Sequence, residues 1–286
     1  MIPAAFDYQA PATLEEAVSL LAGDPDGAKI LAGGHSLIPA MKLRLAQPQL
    51  LVDIARIRSL AYIREEENQI LIGATTTHYQ LESSDLLKQI CPLLPMCAVS
   101  IGDVQVRNKG TIGGSVAHSD PAGDWPAAVI ALDADLLLIG PNGERTVKAT
   151  DFFVNLLTTD LQPGEILREI RIAKPSGRFG ESYQKVPHPA SGFAVVGIAA
   201  HLELNDDGSC KRAKIGVTGV GVKAYRAQGV EAALAGANLD DQTIASAAAH
   251  VCDGVDANSD LYASGEYRCA LAQVYTRRAI QAAKAV

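Results

Sequence analysis

The chain has 286 residues, enough for two or three compact units, and its 48% hydrophobic and 20% charged content is ordinary for a soluble globular protein. Its formal net charge of −7 argues against nucleic acid as a partner, because no basic patch is available to neutralise phosphates.

Residues 1–55 are predicted to form a small β-α-β unit. Its strands are expected at Phe6–Gln9, Lys29–Ala32 and Gln49–Asp53. Thr13 is a suitable N-cap for a helix. The apolar residues of that helix recur on one face with a 3.6-residue period, at Leu14, Ala17, Val18 and Leu21. A second helical segment, Leu37–Leu45, is expected to be broken by Pro39.

Residues 56–175 alternate between short strands and short helices. The predicted strands are Tyr62–Glu65, Gln69–Gly73, Asp135–Gly140, Glu144–Lys148 and Glu165–Ile172. The predicted helices are His78–Ser83, Asp85–Ala98 with breaks at Pro92 and Pro95, a helix capped by Asp124, and Asp151–Leu157. Val104–Gly110 is expected to be extended or looped.

Lys174–Gly180, which contains proline, serine and two glycines, is the best candidate for a domain boundary. Three strands are predicted beyond it, at Glu181–Val186, Gly192–Leu204 and Cys210–Thr218. Only helices follow, at Gln228–Ala235, Asp240–Asp253 and Tyr262–Ala285. Strands followed by helices indicate an α+β unit. The chain is therefore predicted to be mixed α+β, with domains at 1–55, 56–175 and 178–286.

Two Gly-Gly pairs, each expected at the end of a strand, carry the strongest functional signal. They are Leu31-Ala32-Gly33-Gly34-His35-Ser36 and Thr111-Ile112-Gly113-Gly114-Ser115. Glycine reaches positive φ and has no Cβ, so the backbone of such a turn approaches a ligand closely. Successive amides in the turn form a nest for an anion. Two nests without a P-loop lysine predict one diphosphate held from both sides, whereas either pair alone is more typical of a tight turn at a strand end.

The five cysteines include no C-x-x-C pair, so the chain cannot build a local zinc or iron–sulfur site. We expect Cys91, Cys97, Cys210, Cys252 and Cys269 to be buried free thiols in a reducing cytosol. The N-terminus lacks the basic and apolar segments of a signal peptide. A cytoplasmic location is expected, with the inner face of the membrane as an alternative.

Other motifs carry weaker signals. Gly219–Ala224 fits the pattern G-x-G-x-x-A, but only helices follow it, whereas a Rossmann unit needs a second parallel strand. His118-Ser119-Asp120 has the residue types of a hydrolase triad without a G-x-S-x-G elbow, which favours polar loop groups beside a ligand. Asp124 either caps its helix or accepts hydrogen bonds from ligand hydroxyls. Lys185, on a predicted strand, is by default a surface lysine.

The two glycine motifs, Asp124, and Pro163-Gly164-Glu165-Ile166-Leu167 together resemble the FAD-binding medium subunits of molybdenum hydroxylases, and among them the carbon monoxide dehydrogenase type. The resemblance covers essentially the whole chain. It implies a vanillyl-alcohol-oxidase-type FAD-binding domain of two α/β subdomains. A C-terminal domain with a three-stranded antiparallel sheet and a helix bundle would follow.

The resemblance also implies the FAD-binding residues. They are Leu31, Ala32, Gly33, Gly34, His35, Ser36, Leu37, Ile101, Thr111, Ile112, Gly113, Gly114, Ser115, Asp124, Leu167, Lys185 and Phe193. The two glycine motifs would wrap the diphosphate, and Asp124 would bind ribityl or neighbouring hydroxyls. Ile101 and Leu167 would line the flavin or adenine, and Lys185 would lie near the isoalloxazine. Phe193 would lie beside the ring.

The sequence departs from the family pattern at three places. Phe193 stands where the family often has tyrosine, Ser115 replaces a common asparagine, and His118-Ser119 replaces Asn-Gly. Hydrogen bonding near the diphosphate and the ring is therefore expected to differ in detail.

The function implied by the resemblance is electron transfer. A large partner subunit would oxidise the substrate at molybdenum, a small partner would carry [2Fe-2S] clusters, and FAD in this chain would reduce an external acceptor. The expected assembly is a dimer of heterotrimers, and no acid–base catalyst or metal ligand is expected in this chain. The alternatives are a free-standing FAD oxidase or reductase and a non-catalytic anion- or nucleotide-binding module. The apolar stretch Phe193–Val196 favours the subunit. The substrate (carbon monoxide, a purine, an aldehyde or a nitrogen heterocycle) and the acceptor stay open.

Overall fold

A computed structural model describes residues 1–285 of the chain. They form three main sheets, each with its own cluster of buried apolar side chains. Val286, the last residue of the predicted third domain, lies outside the described residues. None of the helices in residues 1–285 combines the length and the apolar composition that a bilayer span requires.

The first sheet has three parallel strands in the order β1-β3-β2. Its elements are β1 Asp7–Gln9, α1 Leu14–Gly23, β2 Ala28–Leu31, α2 Leu37–Lys42 and β3 Leu50–Asp53. Thr13 caps α1, because its side chain accepts a hydrogen bond from the Glu16 N–H at 3.2 Å. The four apolar residues predicted for the inner face of α1 are all buried, so the predicted packing of this helix is confirmed.

The second sheet has five antiparallel strands in the order β4-β5-β10-β6-β7. The strands of this region are β4 Ile63–Glu66, β5 Gln69–Gly73, β6 Asp135–Gly140, β7 Gly143–Lys148, β8 Phe153–Asn155, β9 Thr158–Thr159 and β10 Ile166–Ala173. The helices are α3 His78–Ser83, α4 Asp85–Ile90, α5 Leu93–Val99, α6 Val104–Arg107, α7 Ile112–His118, α8 Asp124–Ala131 and α9 Ala149–Phe152. A 3-10 turn covers Arg58–Leu60, and β8 and β9 form a separate two-stranded sheet. Trp125, Phe152 and Phe153 are fully buried in the core beneath this sheet.

Several local predictions in the first two sheets are wrong. Pro39 does not break α2, because it lies in the first turn, where backbone N–H groups have no helical acceptor. Val104–Gly110 is not extended: Asp103 accepts a hydrogen bond from the Val106 N–H at 2.9 Å and starts α6. Helix α9 ends before the predicted Asp151–Leu157 segment is complete, because the chain turns into β8.

The third sheet is antiparallel and has the order β11-β12-β13-β14. Its strands are β11 Arg178–Pro187, β12 Ala194–Leu204, β13 Cys210–Thr218 and β14 Tyr225–Arg226. The helices that follow are α10 Gln228–Leu234, α11 Asp241–Ala248 and α12 Gly265–Lys284. The three long strands and three helices match the sequence prediction, and β14 adds a short fourth strand. Gly180 packs against the Ala283 backbone of α12 and Gly216 against the Ala127 backbone of α8, so helices cover both faces.

The cysteines do not all stay free, which corrects the sequence expectation. Cys252, after α11, and Cys269, in α12, form a disulfide bond. Cys91, Cys97 and Cys210 are free and buried. Burial raises the pKa of all three thiols, that of Cys210 to about 11, so they stay protonated at neutral pH.

Reduction of the disulfide is expected to destabilise the chain. The bond closes a sequence separation of 17 residues, for which the loss of loop-closure entropy corresponds to about 3 kcal/mol. Urea unfolding with and without a reductant measures this difference in the free energy of unfolding. The Cys252→Ser/Cys269→Ser double variant is the control and should be insensitive to reductant. Equal stability of the wild type in both conditions would contradict the prediction.

Candidate functional site

A cavity of about 710 Å³ opens where loops from all three sheets meet. It is bounded by the loop after β2, the first turn of α7, the segment before β10 and the loop before β12. The predicted residues that line it are Ala32, Gly33, Gly34, His35, Ser36, Leu37, Ile101, Thr111, Gly114, Ser115, Asp124 and Phe193. The structure therefore brings both glycine motifs to one cavity.

The two glycine motifs also touch each other. A Cβ built on Gly33 would lie 2.7 Å from the Gly110 Cα and closer still to the Lys109 carbonyl oxygen. A Cβ on Gly114 would lie 3.6 Å from the Ala32 Cβ. The first motif thus packs backbone against backbone on the loop that leads into the second. This approach is possible only where a side chain is missing.

The first motif presents a row of backbone amides to the cavity. Gly34 has a φ of +74°, which turns the chain between β2 and α2. The N–H groups of Gly33, Gly34, His35 and Ser36 make no hydrogen bond with any other residue in the range 1–285. Consecutive donors of this kind form a concave binding site for an anion.

The second motif is built differently from the expected strand-end nest, and that expectation is wrong. Thr111 caps α7, and neither Gly113 nor Gly114 has a positive φ. The Ile112 and Gly113 amides donate to the carbonyls of Thr76 (3.0 Å) and Ala74 (2.9 Å). The Gly114 amide donates to Thr111 Oγ1 at 3.1 Å. These three amides already have protein acceptors. The second motif therefore lets its backbone lie close to a ligand, but it supplies few free hydrogen-bond donors.

Asp124 lies at the cavity wall within a buried polar cluster. It is the first residue of α8, and Gly123 rather than Asp124 occupies the capping position, one residue earlier than predicted. Its carboxylate accepts hydrogen bonds from Lys185 Nζ at 2.8 Å and from the Tyr183 hydroxyl at 2.5 Å. Lys185 Nζ also donates to the Ser100 carbonyl at 2.9 Å.

Burial dominates the electrostatics of this cluster. It raises the pKa of Asp124, while the Lys185 ammonium and the Tyr183 hydroxyl oppose the rise. Burial and the Asp124 charge also raise the pKa of Tyr183, so its phenol keeps its proton and donates. Lys185 is only 6% exposed, and the default assignment of a surface lysine is wrong.

Five of the predicted site residues do not line the cavity: Leu31, Ile112, Gly113, Leu167 and Lys185. Ile112 and Leu167 are core residues, and Gly113 packs against Ala74. Lys185 reaches the site only through Asp124. Phe193, in contrast, stands at the cavity mouth with 43% of its surface exposed, directly after Gly192 with its φ of +72°.

The cavity also has lining residues outside the predicted FAD-binding set, among them Lys29, His78, Val106, Gln162 and Gly164. His118, which the sequence predicts only as a polar loop group beside a ligand, lines it as well. Gly164 belongs to a Pro-Gly turn that did carry a local signal. His78 is one of six scattered histidines and carried no signal in the sequence. The cavity volume is within the range of about 300–1,000 Å³ for small-molecule sites, which suits a large ligand. The unpartnered amides of the first motif suit an anionic group in the middle of that ligand.

Two family descriptions match the chain. Residues 4–175 match the FAD binding domain in molybdopterin dehydrogenase, and residues 181–283 match the CO dehydrogenase flavoprotein C-terminal domain. The chain is 40% identical to the carbon monoxide dehydrogenase medium chain of Hydrogenophaga pseudoflava, over 99% of this chain and 98% of that protein. It is 36% identical to the glyceraldehyde dehydrogenase medium chain of Sulfolobus acidocaldarius, over 98% and 99% of the two chains.

Solved structures show the same fold. A cyanide-inactivated Cu,Mo-CO dehydrogenase superimposes with a TM-score of 0.97 at 40% identity, covering 100% of this chain and 99% of that one. Quinoline 2-oxidoreductase from Pseudomonas putida has a TM-score of 0.93 at 34% identity, with the same coverage. The predicted mixed α+β fold class is thus confirmed.

The row of free amides, the glycine corners without Cβ atoms and the cavity volume all fit FAD, the cofactor in the description of the matched N-terminal family. The named relatives are oxidoreductase subunits, and the cofactor of this chain is FAD. The chain belongs to the family of FAD-binding medium subunits of molybdenum hydroxylases, of the carbon monoxide dehydrogenase type.

Proposed function

We propose that this chain is the electron-transfer subunit of its complex: it takes electrons from a partner subunit onto FAD and delivers them to an external acceptor. The observation that carries this proposal is the make-up of the cavity, which combines a row of unpartnered backbone amides with glycine and apolar lining residues. FAD supplies the redox chemistry when bound, and the protein supplies binding, orientation and electrostatics.

The residues divide the binding task among them. The amides of Gly33, Gly34, His35 and Ser36 bind the diphosphate, because they are consecutive and free. The second glycine motif closes the cavity from the other side with its backbone. Asp124 accepts hydrogen bonds from cofactor hydroxyls, since each of its carboxylate oxygens retains a lone pair. Ile101 and Phe193 provide apolar walls.

Lys185 acts on the cofactor through Asp124 rather than by direct contact. Its ammonium is held between Asp124 and the Ser100 carbonyl, and it does not line the cavity. The lysine fixes the orientation of the carboxylate and offsets its burial. The direct position near the isoalloxazine that the family resemblance implies is therefore not part of this proposal.

The partners in this proposal are a large molybdenum-containing subunit and a small [2Fe-2S] subunit, assembled as a dimer of heterotrimers. Relatives that match nearly the whole chain bear the names of dehydrogenases for carbon monoxide, glyceraldehyde and caffeine, at 33–40% identity. Because one FAD-binding scaffold accompanies such different substrates, we infer that another subunit determines the substrate. The domains at 1–55, 56–175 and 178–286, and the cytoplasmic or membrane-face location, stay predictions.

FAD binding is expected to depend on the first glycine motif. In Gly34→Val, a β-branched residue would have to adopt a φ of +74°, and its Cβ would lie 2.6 Å from the Ile38 Cδ1. We expect the dissociation constant for FAD to rise about tenfold or more, because hydrogen bonds from the amides to the cofactor are lost. Titration of the deflavinated chain, followed by flavin fluorescence, measures the constant.

Gly23→Val is the matched control for this substitution. Gly23 has open space around its Cβ position, has no positive φ and does not line the cavity. Equal FAD affinity in the two variants would remove the amide row from the proposal. If neither the wild-type chain nor its complex showed a visible flavin spectrum, electron transfer through FAD would be rejected.

Asp124 and Lys185 are expected to contribute to the free energy of unfolding as a pair rather than independently. Lys185→Met leaves a buried carboxylate without its cation, which costs about 3–5 kcal/mol. The Asp124→Asn/Lys185→Met double variant should be destabilised by clearly less than the sum of the two single changes. Urea unfolding of the four chains measures the coupling. Additive effects would show that the pair does not act as a unit.

The division between subunits is testable by co-expression with the adjacent reading frames. We expect a small organic or gaseous substrate to reduce FAD in the complex and to leave FAD in the isolated chain oxidised. Absorbance changes of the flavin under anaerobic conditions measure this. Rapid substrate oxidation by the isolated, FAD-loaded chain would support the free-standing oxidase instead.

A further inference from the structure

His78 is a buried ring in the wall of the FAD cavity. It is the first residue of α3, lines the cavity, and is only 4% exposed. Its backbone N–H donates to the Gly110 carbonyl at 2.9 Å, which ties α3 to the loop before the second glycine motif. The backbone of His78 is thus fixed against this loop.

The hydrogen bonding of the ring determines where its proton lies. The Trp125 indole Nε1–H donates to His78 Nδ1 at 3.0 Å. An indole nitrogen only donates, so Nδ1 is the acceptor and the neutral imidazole carries its proton on Nε2. Burial lowers the pKa of His78 to about 4, and the nearby His35 and Arg107 act in the same direction. The ring is therefore neutral at physiological pH.

The Nε2–H edge faces Gly110 and has no acceptor among residues 1–285. A Cβ on Gly110 would lie 2.6 Å from Nε2, so it is the absence of a side chain there that leaves this edge uncovered. Within residues 1–285, the Trp125 indole is the one hydrogen-bond partner of the ring. Nε2 is not among the fully buried polar atoms that lack a partner, so this N–H is open to the cavity and available to a ligand acceptor.

The position of the ring indicates which part of the ligand it meets. Gly33 of the first motif packs on Lys109 and Gly110, and His78 stands against the same glycine. The ring therefore lies at the junction of the two motifs, where the proposed function places the diphosphate. A neutral N–H donor adds a hydrogen bond there without adding charge.

We propose that His78 is a cofactor-binding residue whose Nε2–H donates a hydrogen bond to a diphosphate oxygen of FAD. This inference rests on the proposed function, because it needs FAD in the cavity. Trp125 acts behind it as a positioning residue that holds the ring in the tautomer able to donate. Gly110 is required because any larger residue would cover the donor.

The test compares ligand affinities of the deflavinated full-length chain. In His78→Phe, loss of one neutral hydrogen bond is expected to weaken FAD binding about tenfold. His78→Gln keeps an N–H donor and should stay within about threefold of the wild type. Gly110→Ala should resemble His78→Phe, because its Cβ blocks Nε2. His250→Phe is the matched control, since His250 is exposed and lies two residues after α11 ends.

Riboflavin, which lacks the diphosphate, distinguishes the contacted part of the cofactor. Its affinity should be the same in the wild type and in His78→Phe. An equal loss for riboflavin and FAD would overturn the assignment to the diphosphate, and unchanged FAD affinity in His78→Phe would overturn the role of His78. A wild-type chain that binds no FAD would instead reject the proposed function.

A measurement on the wild type covers the case in which His78→Phe does not fold. With 15N-labelled histidine, NMR reports which ring nitrogen carries the proton, and His78→Gln assigns the signal. We expect the Nε2–H tautomer before FAD is added, and a downfield shift of the Nε2 proton at saturation. The opposite tautomer, or a proton resonance unmoved by saturating FAD, would contradict the proposal.

Discussion

The contact between Gly33 and the Lys109–Gly110 backbone is the constraint on which the rest of the site depends. It joins the loop after β2 of the first sheet to the loop that enters α7, beside the second sheet. Because no side chain separates them, the row of free amides in one loop faces the same cavity as the first turn of α7. A Cβ on Gly33 would clash with the Lys109 carbonyl oxygen, so one of the two loops would have to shift.

Buried polar contacts hold the third sheet against this arrangement. Lys185 and Tyr183 of β11 both reach Asp124 at the start of α8. Earlier in β11, Glu181 accepts a hydrogen bond from the Leu93 amide and lies 2.8 Å from His201 Nδ1. Such contacts are costly to break once buried, because each leaves a desolvated charge behind. Phe193 lies in the loop between β11 and β12, where its carbonyl accepts a hydrogen bond from the His188 N–H at 2.7 Å.

The site combines two ways of placing donors. The first motif offers amides that no other described residue uses, which suits a charged group whose oxygens accept from several directions. His78 offers a single donor whose tautomer is set by Trp125, a residue of the core. In both cases the donors are oriented before a ligand arrives, so little conformational entropy is lost on binding. A small loss of conformational entropy on binding is consistent with a subunit that holds one cofactor in place.

The sequence alone determined the features whose signal lies within a short segment: the buried face of α1, its Thr13 cap, the existence of the long strands of the third sheet and the glycine motifs. Only the tertiary structure decided that Gly113 and Gly114 are helical, that Leu167 is a core residue, that Cys252 bonds Cys269, and that His78 faces the cavity. These outcomes depend on contacts between segments far apart in the chain. Local propensity carries no information about which backbone will pack against a glycine or which indole will meet a histidine.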